Sequence, residues 1–321
     1  MQKNSGIGGQ AVMEGIMMRN ADRYSISVRK PNGEIEIKTD DYKSICPWKG
    51  VWKVPLLRGV ISFVDSLVVG MSSLMYSADI AAEEDETDEN GAPAPEKTEA
   101  EKARDDRLWK VLMTVTVIIS IGFSVVLFML LPFFLSGLMR KAGAPEVWVS
   151  LAEAVLRLVI FLAYMLLISR MKDIQRVFAY HGAEHKCINC IESGMDLTVE
   201  NVMKSSRQHR RCGTSFLLIV ISISIIAFLI LGLFGIRTGL MRFVWRIILI
   251  PLIAGVSYEI LRYGGSHDGK CINALVKPGL KMQLLVTREP DEKMCEVAIS
   301  AIEAVFDWRA WQGKPGKDAE G

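Results

Sequence analysis

Histidine is scarce in this 321-residue chain, with only four, and two of them, His181 and His185, fall inside one five-residue window. Charge is nearly absent from four long stretches, residues 111–139, 147–169, 215–235 and 243–261. Each is near or above the roughly 20 residues that carry a helix across a bilayer. A helix in a soluble core is rarely apolar on all faces for so long. A purely soluble protein is thereby excluded, and the expected fold is a mainly α membrane protein, a four-span helical bundle with a small α+β cytoplasmic layer.

Other absences narrow the class further. The start, "MQKNSGIGGQAVMEG", lacks a basic-then-apolar signal pattern, so no cleaved leader is expected. The glycines of "GIGGQAVMEG" lack the G-x-G-x-x-G spacing and a leading strand, which argues for an ordinary glycine loop over a dinucleotide site. The net charge of +2 gives no reason to expect a nucleic-acid partner. Residues 83–106 contain no aromatic side chain and are strongly acidic; they cannot bury enough apolar surface to order and read as a linker.

Basic residues set the expected orientation. The 170–213 loop carries Arg170, Lys172, Arg176, Lys186, Lys204, Arg207, Arg210 and Arg211, whereas the opposite loops hold Arg140 and Lys141, and Arg237 and Arg242. The positive-inside rule places 170–213 in the cytoplasm, and four spans bring both termini there. The expected location is the bacterial cell membrane, with the lipid bilayer as the first partner. Cys46, Cys187, Cys190, Cys212, Cys271 and Cys295 then all lie on the reducing side, so no disulfide framework is expected.

Five regions follow. Residues 1–50 form a cytoplasmic N-terminal region; in it "YSISV" and "IEIK" alternate around "KPNGE", a hairpin over 24–38. Residues 51–80 hold an apolar helical stripe through Leu57, Val60, Ile61, Val64, Leu67, Val68, Met71, Leu74 and Met75. Arg58 and Asp65 disfavour a full span there. An amphipathic helix on the membrane surface or a re-entrant segment is expected, with a fifth span as the alternative. The acidic linker occupies 81–107, the bundle 108–261, and a C-terminal strand ("KMQLLVT") and helix ("PDEKMCEVAISAIEAVFDW") lie within 262–321.

The chemistry concentrates in "YHGAEHKCINC". On a helix His181 and His185 project from one face, and Glu184 sits beside them in the order H-x-x-E-H. Two imidazoles at that spacing bind one metal. Zinc held by three protein ligands lowers the pKa of its water to about 7, and a carboxylate then takes the proton. His209 and Cys212 are the candidate further ligands, with Glu192 and Glu200 as carboxylate alternatives. A rival reading closes a structural zinc site with Cys187, Cys190, His209 and Cys212. The plainest reading leaves the histidines solvated and the cysteines packed as small apolar groups. Within the spans, Glu153 and Arg157 stand four apart and read as an ion pair, while a polar route including Arg246 is the transporter alternative. Arg210, Arg211, Thr214 and Ser215 at the start of the third span read as a capped, positive-inside helix start rather than a phosphate site.

"GGQAVMEGIMMR", "YHGAEHKCIN", "HRRCGTSF" and "YEILR" resemble, in order and over nearly the whole chain, the YqhQ-like family of bacterial membrane proteins. That resemblance implies a predicted metal-dependent enzyme without an established substrate. It favours His181, His185, His209 and Cys212 as metal ligands, with Glu184 as catalytic base. The function expected is a metal-dependent hydrolase at the cytoplasmic face, with zinc as cofactor and a lipid or membrane-protein substrate. A non-catalytic scaffold or regulator, or a transporter component, is the alternative.

Overall fold

A computed structural model describes residues 4–82, 99–233, 239–267 and 269–314. Four strands, β1 (Gly8–Val12), β2 (Gly15–Asn20), β3 (Arg23–Arg29) and β4 (Ile35–Asp41), form an antiparallel meander. The helices are α1 (Leu57–Ala82), α2 (Glu99–Val125), α3 (Leu131–Lys141), α4 (Glu146–Ile168), α5 (Lys172–Glu192), α6 (Val199–Lys204), α7 (Gly213–Leu233), α8 (Gly239–Ser266), α9 (Lys270–Val286), α10 (Glu292–Glu303) and α11 (Trp308–Gln312). The chain divides into two compact units, Met1–Ala82 with Leu166–Ser224 and Val244–Gly321, and Glu83–Met165 with Ile225–Phe243.

In the first unit the sheet is covered on both faces, as strand alternation requires. Ile16 and Met18 turn toward α5 and α10, where they join Tyr180, Ile188, Ile191, Val297 and Ile302 in one buried cluster. Val12, Met17, Ile26 and Val28 turn the other way and pack with Ile80 of α1. Each such side chain contributes roughly 1.5–3 kcal/mol by leaving water. Polar groups tie α1 to the same face. Asp65 is buried and accepts from the Tyr42 hydroxyl and from the Ile45 N–H at 2.9 Å. The Met13 N–H donates to Ser77 Oγ at 3.1 Å.

The hairpin expected over 24–38 is β3–β4, with Gly33 at φ 92° in its turn. Two expectations are corrected. The glycine-rich start is not a loop but the β1–β2 hairpin, because its glycines serve close packing: a Cβ on Gly15 would lie 2.3 Å from the Ser27 carbonyl oxygen of β3. "KMQLLVT" is not a strand; Lys281–Val286 are the last turns of α9. Gly279, Met282, Gln283 and Val286 are buried at helical spacing, a period that a short apolar run conceals. The C-terminal helix is α10, capped by Asp291, whose side chain accepts from the Met294 N–H at 2.8 Å. Of the acidic linker, 83–98 lies outside the described residues, and α2 is helical from Glu99.

Among the described residues five helices are long and apolar enough to cross a membrane: Leu57–Ala81, Arg107–Lys141, Glu146–Ile168, Gly213–Leu231 and Val244–Ser266. The second is continued from α2 into α3 through a π-helical turn at Val126–Leu130. In the second unit Phe128 packs edge-on against Phe161 and Tyr164, and Arg157 pairs with Glu153 at 3.1 Å while lying over the Phe228 ring. The two charges form the ion pair that their spacing implied.

Candidate metal centre

α5 carries the H-x-x-E-H window in the middle of its length, against β1 on one side and the 205–212 segment on the other. His181 and His185 share a face, their ring centroids 4.4 Å apart. His181 Nδ1 lies 2.9 Å from the Val286 carbonyl oxygen, and His185 Nδ1 lies 2.6 Å from that of Arg207. A carbonyl only accepts, so both rings carry a proton on Nδ1, and in the neutral imidazole each Nε2 presents its lone pair. Carbonyl partners of this kind orient imidazole ligands toward metals.

Both histidines offer a donor atom close to Cys212, the residue just before α7. His181 Nε2 is 3.2 Å from Cys212 Sγ, and the donor atoms of His181, His185 and Cys212 all lie within 4.8 Å of one another. Ligands on one tetrahedral zinc stand about 3.3–3.7 Å apart, so the donor set fits with small adjustments. His185 Nε2 is buried and has no hydrogen-bond partner. An orphaned buried imidazole nitrogen of this kind costs roughly 1–3 kcal/mol, and a bound cation would remove that cost.

His209 is close but apart from this set. Its ring centroid is 5.6 Å from that of His185, and its Nε2 faces Glu192 at 3.8 Å, too far for a hydrogen bond. Gln283 clamps its backbone: the His209 N–H donates to Gln283 Oε1 at 2.8 Å, and Gln283 Nε2 donates to the His209 carbonyl at 2.6 Å. Burial holds the His209 imidazole down at about 4, so it is neutral at physiological pH. Glu192 is occupied structurally. It accepts from the Ser5 N–H and hydroxyl at 2.8 and 2.7 Å and pairs with Arg211. Burial alone would raise its carboxyl, but the Arg211 guanidinium and the Ser5 N–H outweigh that and hold it at about 2. Glu200 pairs with Lys204 on the surface.

Glu184 is buried beside His181, and its Oε2 has no hydrogen-bond partner. Burial pushes its carboxyl up to about 6, against the opposing pull of His181 and the Gly9 N–H. Gly9 of β1 presses directly on it: a Cβ there would lie 3.0 Å from Glu184 Cδ and 2.7 Å from the Met17 carbonyl oxygen. Gly9 of "GGQAV" is therefore part of the wall of this site, a role invisible without the β1–α5 contact. Cys187 and Cys190 lie in the hydrophobic cluster with Cys295, and among the described residues the grouped donors are His181, His185 and Cys212, not the four of the zinc-ribbon alternative. Burial drives the Cys187 thiol well above its ordinary value and the Cys190 thiol to about 11, as for inert packed thiols.

Several groups at the site carry no motif of their own. Lys186 is buried and donates to the Met203 and Ser205 carbonyls at 2.8 and 3.0 Å while pairing with Glu289. Asn189 donates to the Ser206 and Gln208 carbonyls at 2.7 and 2.9 Å. Together they pin the 203–208 segment on α5 and so present the Arg207 carbonyl to His185. The only sequence signal was their position one and four residues after His185 on the same helix.

The fold and site define a mainly helical protein with membrane-length apolar helices and a small α/β layer bearing a largely buried His–His–Cys cluster. The chain belongs to the family described as "Protein of unknown function (DUF1385)", whose model matches residues 54–308. It is 34% identical over 303 residues to "Uncharacterized protein YqhQ" of Bacillus subtilis (strain 168), covering 93% of this chain and 92% of that protein. No solved structure matches the chain.

Proposed function

We propose that this is a four-span protein of the bacterial cell membrane, with both termini in the cytoplasm, whose α/β layer binds a divalent metal and hydrolyses a lipid or membrane-protein substrate at the cytoplasmic face. The observation that carries the reading is the convergence of His181, His185 and Cys212 donors within 4.8 Å, with His185 Nε2 buried and unpartnered. Three protein ligands leave a tetrahedral ion one open position, which is the arrangement of catalytic rather than structural zinc. A bound zinc would supply Lewis acidity and activate water. Glu184 would take the proton: its carboxyl titrates at about 6, near working pH, where a general base is most effective. The Gly9 N–H and the close backbone of β1 hold that carboxylate in place.

The span count is supported by a parity argument. The sheet, α5 and α10 pack on one another and so occupy one side of any membrane. Two candidate spans, α7 and α8, separate α5 from α10, an even number. Three separate β4 from α5, and an odd number of crossings would put the sheet on the wrong side. α1 is the one that packs along the sheet through Asp65, Ser77 and Ile80, so α1 is read as lying beside the membrane and the other four as spans.

The test uses detergent-purified protein loaded with zinc and separated from excess metal. Wild type should retain about one ion per chain and hydrolyse a chromogenic ester or phosphodiester; Glu184→Gln should keep the ion and lose the turnover. A wild-type protein that retains no zinc, cobalt or manganese would sink the metal reading.

A further inference from the structure

α9 has two opposed faces. The inner face holds Gly279, Met282, Gln283 and Val286, all buried; Gln283 clamps His209, and the Val286 carbonyl orients His181. The outer face holds Lys270, Lys277 and Lys281, all exposed. At 100° per residue, spacings of seven and eleven put these three within about 40° of one another around the helix. Leu284, 44% exposed, lies on the same side. Among the described residues no carboxylate pairs with any of the three lysines, whereas Lys30, Lys186, Lys204 and Lys314 all have acidic partners.

The position of this stripe identifies what it meets. α8 is long and apolar enough to span, and it ends at Ser266; α9 begins at Lys270, four residues later, within about 14 Å of chain. A short amphipathic helix directly after a span, with unpaired lysines and an exposed leucine on one face, has the composition of an interfacial helix. Lysines held near an acidic leaflet are each attracted appreciably to its headgroups. We propose that the outer face of α9 docks on anionic phospholipid headgroups of the membrane that α8 enters. The same helix thus rests on the bilayer with one face and orients the His181 and His209 side of the cluster with the other. This inference stands on the lysine geometry and does not require that the cluster hold a metal.

The experiment reconstitutes full-length protein in vesicles of phosphatidylcholine with 20–30% phosphatidylglycerol, roughly the acidic content that gives a strong surface potential. Spin-labelled phosphatidylglycerol and phosphatidylcholine report the lipid held against the protein. Wild type should favour phosphatidylglycerol by about two- to five-fold, falling as salt rises toward 1 M, where the screening length is about 3 Å. Lys270→Gln/Lys277→Gln/Lys281→Gln should abolish most of that preference, the three Arg replacements should keep it, and Lys38→Gln/Lys204→Gln/Lys293→Gln should leave it intact. The proposal is overturned by a wild type without preference, or by a glutamine triple variant that selects phosphatidylglycerol as wild type does. It is equally overturned if inorganic phosphate competes beyond its ionic strength, since the stripe would then be a free-phosphate site.

Discussion

His181 Nε2, on α5, stands 3.2 Å from Cys212 Sγ, 31 residues further along the chain and just ahead of α7. That contact separates Cys212 from His209, two residues that the sequence offers equally. His181→Ala, His185→Ala and Cys212→Ala should each lower zinc affinity by more than about 100-fold, beyond the roughly 10–100-fold that loss of an orienting group costs. His209→Ala should retain zinc with near wild-type stoichiometry, measured by mass spectrometry of the metal after gel filtration. Metal loss in His209→Ala equal to that in Cys212→Ala would show that the ligand set is drawn wrongly.

Gly9→Ala should perturb the site from the far end of the chain. The added carbon would meet Glu184 Cδ at 3.0 Å and the Met17 carbonyl oxygen at 2.7 Å, a buried side chain and a sheet backbone that cannot yield freely. A loss of about 1–3 kcal/mol is expected from such overpacking. Thermal unfolding in detergent, set beside Gly8→Ala, where a Cβ meets nothing within 4 Å, isolates the effect. Equal melting temperatures for the two variants would contradict the packing.

Acid should loosen the attachment of the N-terminal residues to α5. Glu192 titrates at about 2 in the folded protein against an ordinary glutamate value of 4.5. Its stabilisation is therefore complete above about 4.5 and is lost as pH falls from there toward 2, because the unfolded chain takes up the proton first. Allowing for solvent around Arg211, the loss is roughly 2 kcal/mol. Glu192→Gln should be less stable than wild type at pH 7, with a shallower decline between pH 5 and 3. Parallel stability curves for the two proteins would remove Glu192 from this role.

A cysteine placed in the 83–98 segment should be shielded from a membrane-impermeant maleimide in intact cells, as should one at Lys172, whereas one at Ala142 should react. Labelling at 83–98 from outside would make α1 a fifth span and break the parity on which the four-span reading rests.

In the second unit the Glu153–Arg157 pair is buried, with side chains 5% and 9% exposed. Replacing either alone should cost about 3–5 kcal/mol by removing the buried opposite charge, and Glu153→Gln/Arg157→Gln should cost less than the sum. Additive losses in the double-mutant cycle would mean that each charge serves a different partner.

Much of this protein was written in local periodicity. Apolar runs of membrane length, the Pro-Asn-Gly turn between β3 and β4, the Asp291 cap of α10 and the i, i+4 pairs at His181/His185 and Glu153/Arg157 each depend on residues within a few positions of one another. The backbone repeat alone then decides which side chains share a face. What lay outside that reach was decided by tertiary packing. The β1–β2 hairpin exists because Gly9 and Gly15 let backbone and Glu184 approach closer than any Cβ allows, and a glycine-rich string does not reveal what will press on it. α9 is a helix because Gly279, Gln283 and Val286 find a buried surface at helical period, where a seven-residue apolar run alone fits either structure. Cys212 rather than His209 meets the histidines because Gln283 holds His209 by its backbone and Lys186 and Asn189 fix the segment before it, contacts between residues 19 to 74 positions apart. Such contacts follow from the shape of the packed layer, and a sequence pattern of period two or 3.6 carries no information about that shape.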